Sequence, residues 1–148
     1  MRAENLQKLI AELRRDEGVR YSTYNDTKGI PTVGVGHNLQ AKPLPTGWKC
    51  PLNDVQVNSL LDDDLADVFC DLDRSLPWWS DLNDVRQRVL ANMAFNLGIT
   101  KLLGFRNTLA AMRQGKFDAA ADGMLNSAWA TQVKVRANRL ADMMRKGA

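Results

Sequence analysis

The chain is poor in the residues that staple small proteins or bind metals: its 148 residues include two cysteines and one histidine. Two cysteines allow one bridge, and the helix pattern argues against it. Asn53 reads as a helix cap with Gln56 closing a capping box, and the pattern runs on past Cys70. At helical rise that puts Cys70 roughly 25 Å from the cap, beyond the reach of Cys50 just before it. Two free thiols suit a reducing compartment. No zinc-finger spacing, phosphate loop or aromatic-basic ladder occurs, so neither a metal, a cofactor nor a nucleic-acid partner is expected. No run approaches the roughly 20 apolar residues of a membrane span. Residues 1–16 alternate charge with single apolar residues and carry no signal-peptide apolar region, so the expected location is the cytoplasm. Repeats, low-complexity tracts and Ser/Gly-rich linkers are absent. What remains is ordinary globular composition, 45% hydrophobic and 25% charged, enough for one domain or two small lobes sharing a helix.

Charge is unevenly spread beneath a net +3. From Asn53 to Asp81 eight aspartates face Arg74 alone, a net −7, whereas Thr131 to Ala148 carries a net +4. A basic end could favour an anionic partner such as a bacterial wall or nucleic acid; a solvated helix face is the plainer reading.

The densest chemistry lies between Asp16 and His37. Leu6, Leu9, Ile10 and Leu13 recur at helical spacing, and Glu17 continues that apolar face as its last member before the stop signal Gly18. Burial and the negative end of the helix dipole both favour the neutral, proton-carrying form of a carboxyl group there, as a general acid requires; a surface glutamate ending a helix is the alternative. Asp26 falls in the turn Asn25-Asp26-Thr27-Lys28-Gly29 between strand-like runs, Tyr21 to Tyr24 and Ile30 to Val35. A turn aspartate ordinarily bonds its own backbone; the functional reading has it ionised and facing Glu17 across a cleft. Thr32, on the returning strand, is then placed to hold a water beside Asp26, although threonine is common in strands for its propensity alone. A glycine-punctuated run, Thr32-Val33-Gly34-Val35-Gly36, leads to His37.

Farther on, Leu39 to Pro51 reads as an irregular connection rich in proline. Residues 53–74 predict a long helix with Val57, Leu60, Leu61, Leu65, Val68 and Leu72 on one face. Asp64 interrupts that stripe. A carboxylate there needs a partner, and His37 is the candidate; otherwise Asp64 sits solvated at the stripe's edge. Pro77 ends the segment. Val85, Val89, Leu90, Met93 and Leu97 mark another core helix stopped at Gly98, followed by short helices at about 106–113, 117–124 and 127–130 and a last one at about 134–146, with Leu140, Met143 and Met144 as core positions. Trp78, Trp79 and Trp129 are expected in the core.

Glu17, eight residues, Asp26, five residues, Thr32, and then Val-Gly-Val-Gly-His resembles the phage lysozymes of the T-even phage type, glycoside hydrolase family 24. The resemblance resumes in Asn92-Met93-Ala94-Phe95-Asn96-Leu97-Gly98, in Gly104 to Leu109, and from Ser127 through Arg139, covering nearly the whole chain. It implies an α+β fold: a small β-hairpin lobe at about 17–56, a linking helix at about 53–74, and a mostly helical lobe at about 75–148 joined by the N-terminal helix. A glycan strand is expected in the cleft between the lobes. It further implies cleavage of the β-1,4 bond between N-acetylmuramic acid and N-acetylglucosamine. Glu17 would act as acid, and Asp26 with Thr32 would activate water, an inverting arrangement with carboxyl groups roughly 6.5–9.5 Å apart. Asn38, Phe95 and Thr108 match sugar contacts, Gly123 stands where the family usually has asparagine, and Arg136 matches an arginine that pairs with the acid. The Leu39 to Pro51 connection is shorter than the family's. The implied partners are peptidoglycan strands and a separate holin for release, with the enzyme acting as a monomer. Two rivals stay open: a lytic transglycosylase, which needs one acid and no activated water, and a wall-binding module with a dead site.

Overall fold

In the computed structural model, which describes residues 1–148, the apolar spacing of the first turns becomes α1, Ala3–Glu17. Leu9 and Leu13 are fully buried, and Gly18 at φ +74° stops the helix, its N–H donating to the Arg14 carbonyl. Then come β1 (Arg20–Asn25), β2 (Pro31–Gly34) and β3 (His37–Asn38), one antiparallel sheet in the order β1-β2-β3. The expected hairpin is thus a three-stranded meander; two residues are too few to show a strand's alternation in sequence. The chain next forms α2 (Asp54–Ser75), a 3-10 turn (Pro77–Asp81), α3 (Asp84–Leu97), α4 (Ile99–Leu103), α5 (Arg106–Arg113), α6 (Phe117–Leu125), α7 (Ala128–Val133) and α8 (Val135–Lys146). Helix α4 was not expected: five residues between Gly98 and Gly104 are too short for a periodic signal.

The chain divides into two compact units, Ile10–Asp67, and Met1–Leu9 with Val68–Ala148. In the first, Leu13, Val33, Val35, Leu52, Val57, Leu60, Leu61 and Leu65 are buried. Gly34 at φ +68° lies against Val57 and Leu60, so the bend after β2 passes close over α2. The capping box at the start of α2 is formed on both sides: Gln56 N donates to Asn53 Oδ1 (2.8 Å) and Asn53 N to Gln56 Oε1 (3.0 Å). The irregular connection is tied back where Leu52 N donates to the Tyr21 carbonyl at 2.7 Å.

The second unit is helical. Helix α6 packs on α5 and α8, and α3 packs on α8 and α4. Val89, Leu90, Met93, Leu102, Met112, Met124, Leu140 and Met144 are buried there. Each such side chain contributes about 1.5–3 kcal/mol, far more than a surface ion pair's 0–1 kcal/mol, so packing outweighs charge in holding this unit. Trp79 and Trp129 are buried as expected, donating to Asp73 and Asn96, while Trp78 is only half-buried. The end of α8 is closed by Gly147 in the left-handed region and by Arg86, which lies over the Phe117 ring and donates to the Met144 and Arg145 carbonyls. Both cysteines are free and exposed. No helix is long and apolar enough to cross a membrane.

Candidate active site

Glu17 is the last residue of α1 and half-buried. Its carboxyl rests against bare backbone: a methyl group on Gly36 would lie 3.0 Å from Glu17 Cδ and 3.2 Å from Oε1. Gly36 also sits at φ +62°, so side-chain space and backbone conformation both require glycine. The glycine run therefore turns β2 into β3 and leaves room for a carboxyl group beside the turn.

Asp26 does what turn aspartates do, with half of its carboxylate. Oδ1 accepts from Lys28 N (2.8 Å) and Ile30 N (2.9 Å), while its own N–H donates to the Ile30 carbonyl at 3.0 Å. These bonds fix the orientation of the group, and no protein donor reaches Oδ2. Thr32 is buried, and its hydroxyl donates to the Ile30 carbonyl at 2.8 Å. With its hydrogen committed, Oγ1 can only accept. Ile30 thus ties the two residues to one short segment, its N–H on Asp26 and its carbonyl on Thr32.

A residue passed over in the sequence, Tyr24, pairs across the ladder with Thr32. Arg20 lies 4.6 Å over its ring. Burial first, and then the negative charge of Glu17, push the Tyr24 hydroxyl above its usual range, with Arg20 opposing and Asp26 adding to the rise. Tyr24 is therefore within electrostatic reach of both acids. The signal available beforehand was the Arg20–Tyr24 spacing, two residues of one strand on the same face.

His37 is buried, with Nδ1 2.7 Å from Asp64 Oδ2 and Nε2 2.9 Å from the Lys42 carbonyl. Both partners only accept, so the ring meets them by carrying both protons. The bond to Asp64 raises the His37 pKa and burial opposes it. Asn38, an expected contact residue, spends its side-chain oxygen on the Gln40 and Ala41 amides, which leaves its NH₂ group as the remaining donor.

The other expected residues belong to the helical unit. Phe95 is half-buried on α3. Thr108 is buried on α5 and lines a groove of about 690 Å³ with Lys101, Phe105, Arg106, Asn107, Gly123 and Ser127. Gly123 stands directly against its hydroxyl: a Cβ there would collide with Thr108 Oγ1. Arg136 is buried and donates through Nε and Nη2 to Asn92 Oδ1, at 3.0 and 2.8 Å.

An α+β fold that carries an acid at a helix end, a turn carboxylate with one open oxygen and an accepting hydroxyl beside it has the parts of a glycoside hydrolase. A family model described as phage lysozyme matches residues 14–145, and the chain belongs to that family. It is 32% identical over 155 residues to the pre-baseplate central spike protein of Enterobacteria phage T4, covering 91% of this chain and 27% of that protein. A probable T4-type lysozyme of Dictyostelium discoideum is 28% identical, with 91% of this chain and 92% of the other covered. The endolysin of Salmonella phage P22 is 31% identical over 119 residues, 78% of this chain and 77% of the endolysin. The chain is accordingly a lysozyme-type hydrolase, and it spans about a quarter of the spike protein but most of the two free-standing relatives.

Proposed function

We propose that the chain hydrolyses the β-1,4 bond between N-acetylmuramic acid and N-acetylglucosamine in peptidoglycan, with inversion at the anomeric carbon. The observation that carries this reading is the division of labour around Ile30. Asp26 keeps one oxygen clear of protein donors, and Thr32 keeps only accepting capacity. A water that donates one hydrogen to each presents its lone pair to the sugar carbon. As the bond breaks, Glu17 gives its proton to the leaving oxygen, Asp26 takes the proton of the attacking water, and positive charge at the ring lies near the aspartate. A lytic transglycosylase needs no such water. Phe95 and Thr108 are sugar contacts in this reading, and Lys101 and Arg106 beside Thr108 suit an anionic wall polymer.

Peptidoglycan strands are the partner in this reading, and the enzyme works as a monomer. The name endolysin borne by the P22 relative supports a role in host lysis, with the enzyme held in the host cytoplasm until a separate holin opens the membrane.

The test is turbidity loss of purified peptidoglycan with Glu17→Gln as control. Glutamine keeps the shape but has no proton to give to the leaving oxygen. Hydrolysis should fall to background while the variant folds and still pellets with the wall. Clearing by Glu17→Gln at near-parental rate would remove the acid assignment. Pelleting without clearing by the unaltered protein would leave only a wall-binding module.

A further inference from the structure

A partly buried ion pair, His37 with Asp64, lies beside the turn that faces the Glu17 carboxyl. We propose that His37 is a positioning residue for the reaction: carrying both protons, its ring ties the turn between β2 and β3 to α2 and so holds the backbone surface on which the Glu17 carboxyl rests. This rests on the reading of Glu17 as the acid.

The geometry runs through neighbouring residues. Gly36, whose Cα faces the Glu17 carboxyl, directly precedes His37. His37 itself pairs with Val33, and Asn38 pairs with Thr32. A displacement of the histidine therefore reaches both the surface under the acid and the strand that carries the threonine. On the other side the ring is anchored twice, to Asp64 on α2 and to the Lys42 carbonyl in the following loop. The charged groups acting on the ring are Asp64 and Lys42, and the Lys42 ammonium is itself paired with Asp67, with Asp63 nearby.

Loss of one proton cannot be accommodated without cost. A neutral ring turns a lone pair either to the Asp64 carboxylate or to the Lys42 carbonyl, and neither can donate. One anchor becomes a repulsion around a buried ring, where such contacts are expensive. With a raised pKa, the doubly anchored form is complete below the ordinary histidine value of about 6.5 and is lost as pH rises through the folded value.

The chain has one histidine, so its imidazole NMR signals are unambiguous and can be followed beside kinetics on solubilised peptidoglycan strands. Between about pH 5 and about pH 10, kcat should fall roughly tenfold across the His37 titration, with KM steady within about twofold and the amide spectrum still that of the folded protein. In Asp64→Asn the imidazole titration and the kcat fall should move down together by about one pH unit or more. A kcat fall that stays put while the imidazole titration moves would assign the limb to another group and overturn the proposal. If Asp64→Asn does not fold, the unaltered protein decides: kcat unchanged while the imidazole loses its proton contradicts the role. Failure here with Glu17→Gln inactive removes the positioning role alone, whereas an active Glu17→Gln removes the acid and this proposal with it.

Discussion

Gly123 and Thr108 share one small space. Gly123 has no side chain, and the Thr108 hydroxyl occupies the place a Cβ there would take. Glycine inside α6 costs about 1 kcal/mol relative to alanine, so Gly123→Ala would be expected to stabilise a bare helix. Here the added methyl meets a buried threonine, and overpacking of that kind costs about 1–3 kcal/mol. The variant should lose about 1 kcal/mol net, by difference, in denaturant unfolding. In a Thr108→Ala background the same change should instead gain up to about 1 kcal/mol. Equal effects in both backgrounds would show that the two side chains do not share the space. The proposed catalytic residues follow the same residue-scale logic. Asp26 shows in one carboxylate both readings open from its sequence: an oxygen committed to the turn and an oxygen left clear of the protein.

At the scale of elements, the pair between β3 and α2 carries a stability prediction apart from catalysis. The pair is partly buried, so removing one partner costs about 1–3 kcal/mol, between a surface pair and a fully buried one. Because the His37 pKa is raised, the contribution is full below about pH 6.5 and is lost as pH rises through the folded value. His37→Asn should therefore cost more at about pH 5 than at about pH 9 by thermal unfolding; equal losses at both would contradict it. This pairing was legible because Asp64 broke an apolar stripe and a buried carboxylate demands a partner. Helices α1, α2 and α3 were legible for related reasons: long apolar periods, a capping box at Asn53, stops at Gly18 and Gly98. The missed elements have physical reasons too. Strand β3 is two residues long, and α4 is five residues enclosed by glycines, so neither completes a period. Tyr24 was missed because its significance lies across the ladder, opposite Thr32, and cross-strand register is not written in one strand alone. Trp78 and Met143, expected in the core, are only half-buried; each sits near the end of its element, where one side of the residue meets solvent.

At the scale of the whole molecule, the basic C-terminal end is largely matched from within. Arg145 pairs with Asp118 and Asp122, Lys146 with Asp142, and Arg136 is buried against Asn92. Arg145 and Lys146 thus have acidic neighbours and Arg136 is buried, which favours the solvated-face reading over a docking patch. The proposed partner can be tested in cells. Expression of the chain alone should leave bacteria intact, with lysis following promptly when a holin or solvent opens the membrane; lysis without either would reveal an export route. The central claim, hydrolysis by an acid and a water-activating base on opposite faces of the sugar, is tested most directly by proton NMR of the anomeric region while purified peptidoglycan is being cut. The new N-acetylmuramic acid reducing ends should appear first as the α anomer and only later equilibrate. Ends appearing first as the β anomer, or as 1,6-anhydro sugars, would contradict the mechanism.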